Sequence, residues 1–384
     1  MNTIQKISAV FTLASVATYS GCSSNTDSSS NSAPSIPPVV EPISDATIAP
    51  IPITSEVKEE TVKLAMGSWN GALPDLSVVK LPKTPTSSLL KSVPDTLPGA
   101  EKIDNAITPS DPVMRIIFIQ DYHGISLGSL LVEHVAMSKT GRLSPLEREK
   151  ITKTFEEDSK GVQKIGRGIN EIVACLSNKY GIAELYKEGS SVETVVGAMG
   201  LLQDFKAKGE PMRLQARNLI SQSWKNHDSA YEQILKGQIT EEEYQGLLKR
   251  ALEVQFVIGN SLSHGAVDQC FLSDKIKMFI PAEISELHQA GVKLRSGEKI
   301  DDNTFAAIKL NDELRESSFL RIAWNLEQHS DKVACLVMGG AHNFIDNVWA
   351  WNEENPDKQI ALTIISPVGF TKALNDALDR ATNP

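Results

Sequence analysis

Apolar residues along the chain fall into two kinds of run. Four are short and nearly unbroken: Val113 to Gln120 (VMRIIFIQ) between Pro112 and Gly124, Ile182 to Lys187, Lys332 to Met338, and Ile360 to Ser366 before Pro367. Runs of this length, closed by turn residues, predict strands buried on both faces. The other kind recurs at helical spacing. Ile169, Ile172, Val173, Leu176 and Tyr180 form one face, with Gly181 as its C-cap. The stretch from 191 to 260 is helical and heavily charged, as in Glu241 to Ala251; Phe319, Ile322, Ala323 and Leu326 make another face, and a further helix passes through Ile345, Val348 and Trp349. Residues 260 to 300 carry no pattern that assigns an element. Buried strands alternating with helices predict an α/β domain with a largely parallel or mixed central sheet flanked by helices. Ligands of such sheets bind outside the carboxyl ends of the strands.

Three of the four strands end in residues with chemistry. The first runs into Gln120-Asp121-Tyr122-His123-Gly124, the second into Glu188-Gly189-Ser190-Ser191, and the third into Gly339-Gly340-Ala341-His342. If these strands are parallel neighbours, Asp121, His123, Glu188 and His342 meet at one rim.

Composition divides the chain. Thirteen of the 19 prolines precede residue 113, and all seven histidines follow residue 122. Residues 1–21 have the form of a secretory signal, with Lys6 ahead of an uncharged apolar stretch from Ile7 to Gly21 that is too short to span a bilayer. It ends at Tyr19-Ser20-Gly21-Cys22, similar to a bacterial lipobox with Cys22 as the acylated anchor; Tyr19 stands where that pattern has Leu, Val or Ile. An ordinary cleaved signal peptide is the alternative. Ser23 after the cysteine resembles the pattern sorted to an outer membrane, facing the periplasm. Residues 22–60 are Ser-, Asn- and Pro-rich and read as a solvated tether, 61–112 as a partly ordered strap, and 113–384 as the domain. A net charge of −10 leaves no basic footprint for nucleic acid. The four cysteines form no Cys-x-x-Cys, which removes zinc-ribbon and thioredoxin-type sites. Cys175, Cys270 and Cys335 read as buried thiols, with one disulfide as the alternative. Gly-x-Gly-x-x-Gly, P-loop and Gly-x-Ser-x-Gly signatures do not occur, which argues against nucleotide and serine-hydrolase chemistry.

Over residues 113 to 370 the ordered motifs resemble the TIKI/TraB/ChaN-like superfamily, to which erythromycin-esterase-type hydrolases are related. Gly339-Gly340-Ala341-His342 resembles its terminal Gly-x-x-His, Tyr186-Lys187-Glu188-Gly189 its Glu-Gly segment, and Arg315 its late-helix arginine. Gln120 replaces the glycine of the first motif, and Leu314 stands where a Glu often precedes the arginine. The resemblance implies an erythromycin-esterase- or ChaN-like fold and an envelope-anchored hydrolase acting on a peptide or small-molecule substrate. A haem- or iron-binding lipoprotein without catalysis is the other branch, with Tyr122 or His123 as the iron ligand.

Two imidazoles and a carboxylate can hold Zn, Mn, Co or Fe with a position left for water, so His123, Glu188 and His342 form a candidate metal centre. Without metal, His123 can serve as general base while Glu188 orients a water. Asp121 would fix His123 through its second nitrogen, and Arg315 would stabilise an oxyanion or bind a substrate carboxylate. Each has a plainer reading: Asp121 as a turn residue, Arg315 in a surface ion pair with Asp312 or Glu316. His134 beside Glu133, and His227, His288 and His329 in charged contexts, read as surface residues, and Trp349 and Trp351 as packing a helix end.

Overall fold

A computed structural model describes residues 55–79, 87–122, 126–262, 265–295, 302–327, 332–340 and 342–382. Six strands form one mixed sheet in the order β1-β6-β2-β5-β3-β4. They are β1 (Ala100–Ile107), β2 (Met114–Asp121), β3 (Glu184–Lys187), β4 (Met278–Pro281), β5 (Val333–Gly339) and β6 (Ile360–Pro367). β1 alone runs antiparallel, against β6. The other five are parallel, so their carboxyl ends share one edge. The expected α/β architecture with helix-flanked sheet is what the chain adopts, and β2, β5 and β3 are neighbours.

Side-chain alternation divides the core. Ile117 and Ile119 of β2 face one apolar cluster with Ile169, Ile172 and Leu176 of the long helix α4 (Pro145–Tyr180). Ile116 and Phe118 face another, with Phe319, Ile322 and Ala323 of α9 (Asp302–Glu327) and Phe344 of α10 (Phe344–Glu354). The start of α4 is set by a capping box, Ser144 with Glu147, and its end by Gly181 at φ 74°, the left-handed turn that glycine adopts without strain. A third cluster lies away from the sheet. There α3 (Leu127–Met137), α4, α5 (Val192–Leu235) and α6 (Glu241–Leu262) bury Leu131, Trp224, Tyr244 and Phe256.

Several expectations are corrected. A helix, α1 (Ser55–Met66), starts inside the stretch read as tether and packs on α9 and on α8 (Ser285–Arg295), and a short α2 (Ser87–Lys91) follows. The strap supplies β1. The edge position of β1 exposes Glu101, Lys102 and Asp104 and so breaks the apolar run. Residues 260 to 300 hold α7 (Ala266–Leu272), β4 and α8. His227 is fully buried: its Nε2 lies 3.1 Å from the Tyr244 hydroxyl and its ring meets Trp224 edge-on. Cys175, Cys270 and Cys335 are buried free thiols, as the simpler reading had it. Trp351 packs against Trp324 with the rings tilted by 45°, whereas Trp349 is more than half exposed. The last helix is α11 (Phe370–Thr382).

Candidate functional site

The ends of three adjacent strands, β5, β3 and β4, add groups to the shared edge. β3 ends at Lys187, and Glu188 turns toward the α9 face. One Glu188 oxygen accepts the Gly339 N–H at the end of β5 (2.6 Å), and the other accepts Nη2 of Arg315 (2.9 Å). His342 follows β5. Its Nδ1 lies 2.9 Å from Oε1 of Glu316, which also accepts the Asn343 N–H (3.0 Å), while its Nε2 faces Oε1 of Glu188 at 3.7 Å. A buried carboxylate thus grips the imidazole from behind and aims its second nitrogen at another carboxylate.

β4 contributes a residue that sequence reasoning missed. Glu283, two residues past Pro281, is buried. It accepts Nε of Arg315 (2.5 Å) and the Gly189 N–H (2.6 Å), and lies 2.9 Å from Nδ1 of His288 on α8. Arg315 also bonds Asp312 (3.1 Å). The result is a chain of alternating charge: His288, Glu283, Arg315, Glu188, His342, Glu316. His288 therefore belongs to this network and not to the surface. The signal for Glu283 was present in the sequence, because Phe279-Ile280-Pro281-Ala282-Glu283 is another apolar run ending in an acid.

Neighbouring charges set the protonation states. Burial alone would lower the His342 pKa, but Glu188 and Glu316 outweigh it and raise it to about 9, so the imidazole carries a proton at neutral pH. Burial alone would raise that of Glu283; the Arg315 guanidinium, assisted by His288, pulls it down to about 2. His288 is raised, because Glu283 more than offsets burial. Arg315 is held charged by the same carboxylates against the cost of burial.

Other expected residues lie elsewhere. Asp121 projects from the opposite face of β2, the side of Ile119, and its charge acts on Cys270; its Oδ1 accepts the Tyr122 N–H (2.8 Å). It does not join Glu188 and His342. Lys187, which alternates to that same side, is paired with Asp268 (2.5 Å). The Tyr122 ring packs on the α4-side apolar cluster. Arg315 is no surface ion pair, and its nitrogens are engaged by Glu283, Glu188 and Asp312, so it is not open to a substrate carboxylate. His123 and Cys22 lie outside the described residues, as do His264 and His329.

Of the three donors in the metal reading, His342 Nε2 and Glu188 Oε1 are described. A dication on that oxygen would sit against the guanidinium that already holds it, and among the described residues no three His, Cys, Asp or Glu side chains stand together as ligands. The third donor, His123, lies outside the described residues, and the carboxylate behind His342 Nδ1 is a partner that metal-ligating histidines also use.

Comparisons with protein-family profiles, curated proteins and solved structures return no match to the chain.

Proposed function

We propose that the rim is the centre of a hydrolase acting on an ester or amide bond, of the TIKI/TraB-like kind, held at the cell envelope through Cys22. The observation that carries this reading is the clamped His342. Glu316 fixes its tautomer and direction, and an oxygen about 2.8 Å from both His342 Nε2 and Glu188 Oε1 can bond to both at once across the 3.7 Å gap. In the resting state the imidazolium is a proton donor. A water bonded to Glu188 attacks the carbonyl carbon and gives its proton to that carboxylate, while His342 protonates the leaving oxygen or nitrogen; proton return from Glu188 to His342 resets the site. Glu283 and Asp312 hold Arg315, and Arg315 with the Gly339 N–H holds Glu188, so the carboxylate meets the water without reorganising.

Charge also bears on substrate. Asp312 and Glu188 keep 29% and 10% of their side chains exposed, whereas Arg315 keeps 3% and His342 4%. Arg315 and His342 lie behind these acids, and His288, 18% exposed, is the one cation of the network that reaches outward, beside the fully covered Glu283; the balance favours neutral or cationic substrates. The test is a panel of neutral, cationic and anionic esters and dipeptides offered to the full chain. Turnover that disappears in His342→Gln while circular dichroism shows the variant still folded at the assay temperature supports the proposal, and turnover unaffected by that substitution overturns it.

A further inference from the structure

Among the described residues, five of the fifteen exposed large apolar side chains lie on α5: Val196, Leu201, Leu214, Leu219 and Leu235. This helix is kinked where Gly209 takes φ 53° and ψ −138° and Pro211 follows. Beyond the kink, Trp224 and His227 turn inward. At helical spacing on the opposite side, Pro211, Leu214, Gln215, Asn218, Leu219 and Gln222 are all exposed and border an open concavity of about 490 Å³. That outward stripe runs three turns without a charge, in a chain whose residues are 22% charged. Its surroundings are basic. Residues 204–225 contain Lys206, Lys208, Arg213, Arg217 and Lys225 against Asp204 and Glu210, although the whole chain has net charge −10. Glu210 is shared between Arg213 (3.9 Å) and Arg217 (3.7 Å), Lys208 pairs with Asp204 (2.9 Å), and Lys206 pairs with Asp274.

We propose that this ridge rests on an anionic lipid surface. Exposed leucines flanked by Lys and Arg on a helix are what an interfacial contact uses, the leucines entering the headgroup boundary and the cations meeting lipid phosphate. A second copy fits less well, because pairing the ridges would bring two basic flanks together. The chain outside the described residues fits the lipid. From Cys22 to residue 54 it spans at most about 110 Å when extended, long enough to let any side of the domain face a bilayer. Such a tether fixes distance and leaves orientation to a surface contact. The inference takes the Cys22 anchor from the proposed function and is independent of the hydrolase chemistry.

Hydrogen exchange of the full chain carrying Cys22→Ser, with phosphatidylcholine vesicles with and without phosphatidylglycerol, tests it. Exchange across 206–225 is expected to slow only when phosphatidylglycerol is present. Each basic group near such a surface contributes about fivefold in affinity, so Arg213→Gln with Arg217→Gln should weaken the lipid-dependent protection about 25-fold. Leu214→Ser with Leu219→Ser should weaken it too, and both pairs are exposed, so the unfolding midpoint should hold. Equal exchange in solution and with both vesicle types overturns the proposal. So does slowing that grows with protein concentration in the absence of lipid, which would mark a contact between copies.

Discussion

Glu283→Gln removes one negative charge from the middle of the alternating network and leaves the side chain's shape almost unchanged. Removing one partner of a buried ion pair costs about 3–5 kcal/mol when the other charge is stranded. Arg315 is not stranded, because Glu188 at 2.9 Å and Asp312 at 3.1 Å remain, and the amide oxygen still accepts the Gly189 N–H. The expected loss is therefore roughly 2–4 kcal/mol. At about 2–4 °C per kcal/mol for a domain of this size, the melting temperature should fall by roughly 5–15 °C. Urea and thermal unfolding of the full chain give both numbers. Repeating them with His288→Ala and the double substitution measures the coupling, expected at about 0.5–3 kcal/mol because the two side chains lie 2.9 Å apart. A loss below about 1 kcal/mol, or simple additivity, would refute the view that Glu283 anchors the network.

Further outcomes follow from the same geometry. The folded-state pKa of His342 is raised to about 9, so its contribution to stability is fully present below about 6.5 and is lost as pH rises toward 9. That of Glu283 is depressed to about 2, so its contribution is present above about 4.5 and is lost as pH falls toward 2. Each is on the order of 3 kcal/mol, so urea midpoints should be highest between about pH 4.5 and 6.5, and a maximum near pH 9 would contradict the assignment. Gly340→Ala would drive a methyl group into the Phe370 ring, and a loss of about 1–3 kcal/mol in urea unfolding is expected; an unchanged midpoint would show that the ring gives way freely. Matched esters differing only in substrate charge should be cleaved at least about tenfold faster when neutral or cationic than when anionic, since one like charge at an enclosed site is worth about 1–3 kcal/mol. Faster cleavage of the anionic ester would count against the acidic face.

Legibility in the sequence tracked how completely an element is buried. β2, β5 and β6 lie inside the sheet, so their runs are continuous and were read to within a residue or two. β1 escaped because an edge strand keeps Lys102 and Asp104 in solvent. β4 escaped because four residues are too few to show a period. With β4 went Glu283, and with Glu283 the reason for His288, whose neighbours Glu286 and Gln289 made it read as surface. His227 was misread in the same way. Its sequence neighbours Lys225 and Asp228 are charged, but Trp224 and Tyr244 close over its ring. Arg315 and Asp312 were legible as a pair because they sit three residues apart on a helix, whereas Glu316 turns to His342 through a contact 26 residues distant. Asp121 shows the limit of counting strand ends: one residue of alternation places it across the sheet from Glu188, a distinction that needs the register.

The pH dependence of kcat is the most direct test of His342 as proton donor. With any substrate the full chain turns over, the rate should fall as pH rises through about 9, where the imidazolium loses its proton, and that limb should vanish with the activity in His342→Gln. A rate that is level from neutral pH to well above 9, or the same falling limb in the variant, would contradict the account.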